Sequence, residues 1–279
     1  MSEDRQDKNQ LFSAPQHAAS APRTGEIIFD VPVDAVPLPS QGKVYPPGHT
    51  LSGVDVVEIT SMTTREEDIL TSAALLKKGT VITELIRSCL VDKNIDPTDL
   101  LAGDRNALMV AIRITGYGAE YDGEVTCDEC NKTTARTFDL SSLQIKRLEI
   151  DPVVPNQNVF EYKLPKSGNV VRFRFLTGKV EEEINVLQER QKKILNTQKD
   201  TFVSTNLLYA ILSVNGVEDR GQISKFVNTM SAFDSQALRK YMRNNEPGID
   251  MKQESECPCG YRSEVTMPLS STFLWPNAE

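Results

Sequence analysis

Hydrophobic positions in this chain recur mostly at helical spacing and alternate only in short stretches. "HTLSGVDVVEITSM" (49–62) alternates and predicts a strand. A helical block follows. In "TTREEDILTSAALLKKG" (63–79), Thr63 or Thr64 stands in capping-box register with Glu66 and Glu67, and Gly79 occupies a helix-terminating place. "TVITELIRSCLVD" (80–92) repeats the pattern with Thr80 as candidate cap. Asp104 is the candidate cap for "RNALMVAIRITGYG" (105–118). "AEYDGEVTCDECNKTTARTFDLSSL" (119–143) then predicts a β-hairpin with two cysteines in its turn.

The C-terminal half repeats this order. With a shift of 130 positions, "SAFDSQALRKYMRNNEPGID" aligns without gaps on "LAGDRNALMVAIRITGYGAE". Asp104 falls on Asp234, Ala107 on Ala237, Leu108 on Leu238, Arg113 on Arg243, Gly118 on Gly248 and Cys127 on Cys257. Upstream, "VVRFRFLTGKVEEEINVL" matches "VDVVEITSMTTREEDIL", and "STNLLYAILSVNG" takes the place of "TVITELIRSCLVD". The expected fold is therefore α+β and mainly helical, with two tandem repeats of a strand, three or four helices and a cysteine-bearing hairpin. Repeat one spans 52–143 and repeat two 168–274, joined by a linker at 144–167. Residues 1–25 lack periodicity and read as a disordered arm. Residues 26–50 hold apolar side chains among prolines 32, 37, 39, 46 and 47, which forbid a helix or a central strand. They predict an extended strap that docks on a partner, with only Leu38 to Tyr45 touching its own domain. Residues 275–279, with the sole tryptophan Trp275, form a short tail.

The cysteines carry the candidate chemistry. Cys127 and Cys130 form a C-x-x-C pair, and Cys257 and Cys259 form a C-x-C pair at the equivalent place in the second repeat. A structural zinc ion takes four ligands, and two knuckles offering two thiolates each enclose one ion in the manner of a zinc ribbon. Such a site is closed to water and substrate, so its role is structural. "CPCG" is one residue shorter than the usual C-P-x-C-G knuckle. The competing readings are idle thiols, or a redox pair, which normally stands at a helix N-terminus in a thioredoxin-like setting. Cys89 fits a buried helical position.

Charge and composition narrow the function. Among 279 residues the net charge is −8 and the pI near 5.0, against the basic face of a nucleic-acid binder. No apolar run approaches the roughly 18 residues of a membrane span. The polar, acidic "MSEDRQDKNQ" is unlike a signal or transit peptide, which points to a reducing cytosol. With only His17 and His49, and no phosphate loop, nucleophile elbow or H-E-x-x-H, nothing suggests an enzyme or a small-molecule substrate.

The combination "LPSQGKVYPPG", "MTTREEDILTS", "LLKKGTVITELI", "LLAGDRNALMVAIRITGYGAEY" and "VTCDEC" resembles the baseplate hub subunits and hub-assembly proteins of T-even-like contractile-tailed phages. The likeness is close over residues 35–143 and loose beyond. It implies a non-enzymatic protein with other hub and tail proteins as partners, found in the host cytoplasm during assembly or in the virion's tail baseplate. It supplies no active site. The alternative is a zinc-ribbon adaptor or nucleic-acid-associated protein unrelated to a tail.

Overall fold

The computed structural model describes residues 31–195, 202–267 and 273–274. It opens on β1 (Val33–Pro37), paired antiparallel with β2 (Val56–Thr60) from Val33↔Thr60 to Pro37↔Val56. A strand thus stands inside the stretch expected as an irregular strap. It is possible because β1 is an edge strand bracketed by Pro32 and Pro37, where a missing N–H breaks no ladder. Val36, Val57 and Ile59 point into the core, while Val33 and Val56 on the other face are 48% and 42% exposed. The loop between the strands buries Leu38, Val44, Tyr45 and Leu51. Contact with the domain therefore extends on both sides of the expected Leu38–Tyr45 window.

α1 (Thr64–Thr71) starts at Thr63, which forms a full capping box with Glu66. The expected single helix breaks at Ser72, whose extended backbone (ψ 105°) separates α1 from α2 (Ala73–Lys78). Gly79, at φ 72°, closes α2 by donating its N–H to Leu75 and Leu76. α3 (Val81–Cys89) buries Leu85, Ile86 and Cys89 completely, and burial pushes the Cys89 thiol up to about 12. α4 (Ala102–Tyr117) runs through the middle of the core, with Ala107, Leu108, Val110, Ala111 and Ile112 all buried.

α4 leads into the hairpin β3 (Glu120–Thr126) and β4 (Thr133–Asp139), then into β5 (Gln144–Lys146). The expected linker contains β5 and also β6 (Phe160–Lys163), which begins a sheet of order β6-β7-β8 with β7 (Val170–Phe173) and β8 (Ile211–Val214). Four helices complete this half: α5 (Gly178–Leu195), α6 (Phe202–Ala210), α7 (Arg220–Thr229) and α8 (Ala232–Asn245). β9 (Gly248–Asp250) pairs with β5, and the hairpin β10 (Lys252–Glu256) and β11 (Arg262–Thr266) follows.

One continuous core runs through both halves, from Val36 to Leu274. Phe160, Phe173 and Phe175 cluster beneath the second sheet, and Tyr162 stacks on Tyr241 of α8 with ring centroids 4.3 Å apart. The halves meet where α4 begins. Gly103 lies so close to Pro247 that any Cβ would stand 1.8 Å from its carbonyl oxygen. Among the described residues no helix is long and apolar enough to cross a membrane.

Candidate metal centre

The first cysteine pair is carried out from the core on a rooted hairpin. Gly118, at φ 85°, turns the chain out of α4. Arg113 fixes that exit by donating to the carbonyls of Gly118 (2.7 Å) and Glu120 (2.9 Å). β3 and β4 then pair over seven residues, from Glu120↔Asp139 to Thr126↔Thr133. Tyr121 and Phe138 are buried at the base, and the Tyr121 ring meets Phe273 edge-on at 5.3 Å. At the tip Cys127 N–H donates to Lys132 O (3.0 Å) and Asn131 N–H to Cys127 O (2.8 Å). Asn131 takes φ 54°, a left-handed conformation that asparagine tolerates.

The second knuckle is built the same way with one residue fewer. Cys257 N–H donates to Tyr261 O and Gly260 N–H to Cys257 O, both at 2.8 Å, and Gly260 takes φ 87°. In each knuckle the residue after the second cysteine is the left-handed one, so the shorter loop keeps the same closure. Side chains tie the hairpins together. Gln253 Nε2 donates to Asp139 O and Ser142 Oγ, both at 3.1 Å, and Arg136 donates to Glu256 O.

This arrangement brings all four cysteines together. The Cys127 and Cys259 sulfurs are 3.8 Å apart, those of Cys130 and Cys257 3.6 Å, and all four lie within 4.8 Å of one another. Both of these close contacts cross from one hairpin to the other. Four thiolates at the Zn–S distance of about 2.3 Å would stand about 3.8 Å from each other at the corners of a tetrahedron. The spacing and the all-sulfur donor set both fit one soft metal ion, of the kind tetrahedral sulfur sites select.

The local electrostatics distinguish the thiols. The Cys130 N–H, then that of Glu129 and the Cys257 and Cys130 thiols, outweigh burial and bring Cys127 down to about 7. At Cys257 the Cys259 N–H favours the thiolate. The Cys259 sulfur, burial and the sulfurs of Cys127 and Cys130 outweigh it and push Cys257 up to about 12. Four sulfurs this close cannot all ionise without a cation between them. Neither pair stands at a helix N-terminus, where a redox pair would be activated. Sequence reasoning missed Gln253 and Arg136. Their carbonyl and hydroxyl partners lie more than 100 residues away, and no local pattern announces them.

No curated protein and no solved structure matches the chain. A family model described as T4 bacteriophage base plate protein matches residues 35–275, from within β1 past the second cysteine hairpin. The match thus takes in both knuckles and the core that aligns them, and the chain belongs to the T4 bacteriophage base plate protein family.

Proposed function

We propose that this baseplate protein is a non-enzymatic component of the hub, acting through protein–protein contacts and held in shape by one structural zinc ion. Cys127, Cys130, Cys257 and Cys259 are its ligands. The observation that carries the reading is the convergence of two thiol pairs, from hairpins about 130 residues apart in sequence, on one ion-sized space within a baseplate family member. Such an ion ties the end of one half to the end of the other, and its binding energy becomes folding energy. With four protein ligands it has no free position for water or substrate, which suits a structural part.

Other hub and tail proteins are the proposed partners, met first in the host cytoplasm and then in the tail. The adaptor or nucleic-acid reading has less behind it, because the net charge is −8 and the family match is to a baseplate protein. Affinity purification from infected cells, with mass spectrometry of assembly intermediates and mature particles, tests the hub reading. Recovery with hub proteins supports it; exclusive recovery with outer baseplate parts, or with nucleic acid, overturns it.

A further inference from the structure

In each half, one aspartate holds a turn of the same spelling. The turn reads L-P-S-Q-G at 38–42 and L-P-K-S-G at 164–168. Leu38 and Leu164 are both buried, and Gly42 and Gly168 take φ 67° and 71°. In the first turn Ser40 donates its N–H to Asp104 Oδ1 (2.9 Å) and its hydroxyl to Oδ2 (2.6 Å). In the second, Lys166 N–H donates to Asp234 Oδ1 (2.8 Å) and Ser167 N–H to Oδ2 (3.1 Å).

Asp104 is the third residue of α4 and Asp234 the third of α8. Neither caps its own helix, although the sequence suggested that role for Asp104. α4 is entered from Leu101 without a side-chain cap, and α8 is capped by Ser231 Oγ, which accepts the Asp234 N–H (3.1 Å). Both carboxylates reach away from their helices to a turn more than 60 residues upstream.

The surroundings correspond in the same chain order. Each turn lies between the strands of an antiparallel hairpin, β1–β2 or β6–β7. The far edge of the second strand meets the segment that follows a helix: Leu90 after α3 bridges Ile59, and β8 after α6 pairs with β7. The aspartate helix follows, directly in the first half and after the additional helix α7 in the second, and a cysteine hairpin comes after each, β3–β4 directly and β10–β11 beyond β9.

We infer that the chain is a tandem duplication in which Asp104 and Asp234 are one latch used twice, and that its unit begins at β1 and β6. The starts therefore move upstream from 52 and 168 to 33 and 160, and the Leu38–Tyr45 stretch belongs to the unit. The inference depends on neither the zinc nor the hub reading. The copies differ in how the latch is filled. In the first, Ser40 adds a hydroxyl donor and Tyr45 another at 2.8 Å. The second is held by the Lys166 and Ser167 N–H groups, with the Ser167 and Ser231 hydroxyls also favouring the carboxylate, and the residue at the Ser40 place, Lys166, is exposed and brings no hydroxyl.

That difference supplies the test. If the latches are equivalent, K166S restores to Asp234 the hydroxyl bond that Ser40 makes to Asp104. Thermal unfolding of the full chain should show a rise of about 2–4 °C for K166S, and no rise when D234A is also present. No rise in the first background, or the same rise in both, overturns the equivalence. Should D234A fail to fold, D234N takes its place with hydrogen exchange as the readout. The Lys166 and Ser167 amides should then exchange about tenfold faster than in the parent, and unchanged exchange overturns the latch.

Discussion

Replacing Asp104 separates two roles that one carboxylate combines. The residue is completely buried and accepts three hydrogen bonds, from Ser40 N–H, Ser40 hydroxyl and Tyr45 hydroxyl, at 2.9, 2.6 and 2.8 Å. D104A leaves those donors without a partner in the core. At about 1–3 kcal/mol for a buried donor, with partial relaxation, the loss is about 3–5 kcal/mol. D104N keeps an oxygen for the Ser40 N–H and offers an amide to the two hydroxyls, so its cost at neutral pH should be below about 1.5 kcal/mol. Burial, opposed by the bonds from Ser40 and Tyr45, holds the Asp104 carboxyl above the ordinary carboxylate range. A folded-state pKa above the unfolded value means that folding favours the protonated acid. The parent should therefore gain stability relative to D104N as pH falls from 7 towards the unfolded pKa of about 4, and lose it as pH rises. Urea unfolding of parent, D104N and D104A at pH 7 and pH 4.5 measures both effects. D104N as damaging as D104A, or a gap between parent and D104N that is unchanged or moves against the parent on acidification, would refute these roles for the carboxylate.

Three further outcomes are expected. G103A should destabilise by more than about 3 kcal/mol, since its Cβ would overlap the Pro247 carbonyl and push α4 from the second half; chemical denaturation reads this directly. Deleting residues 1–30 should leave the melting temperature and metal content unchanged and abolish co-assembly with hub proteins. Deleting 1–37 removes β1 and the buried Val36 and should lower the melting temperature as well. C130S should reduce bound metal to below half an equivalent per chain and raise protease cleavage within β3–β4 and β10–β11, while circular dichroism of the helices changes little.

The sequence displayed what is local and hid what is distant. The Thr63 capping box and the Gly79 terminus are readable because their partners lie within one turn. The cysteine pairs are readable because a knuckle's spacing is local, and equivalent places in two halves suggested one site for both. β1 was hidden by its flanking prolines, which rule out a central strand but tolerate an edge. β5 and β9 are three residues each, and they form only because the chain brings 144–146 beside 248–250. Asp104 looked like a cap because its true partner, Ser40, lies 64 residues upstream. The L-P-x-x-G spelling at 38 and 164 was the available signal for the second half of that pairing. It was obscured by the unequal distances from turn to β2 and from turn to β7.

The proposed ion between the two hairpins is open to direct metal analysis. Full-length protein purified without chelator should carry about one zinc per chain, and X-ray absorption at the zinc edge should show four sulfur neighbours at about 2.3 Å. Protein that binds no metal under these conditions, or an ion bound through nitrogen or oxygen, would contradict it.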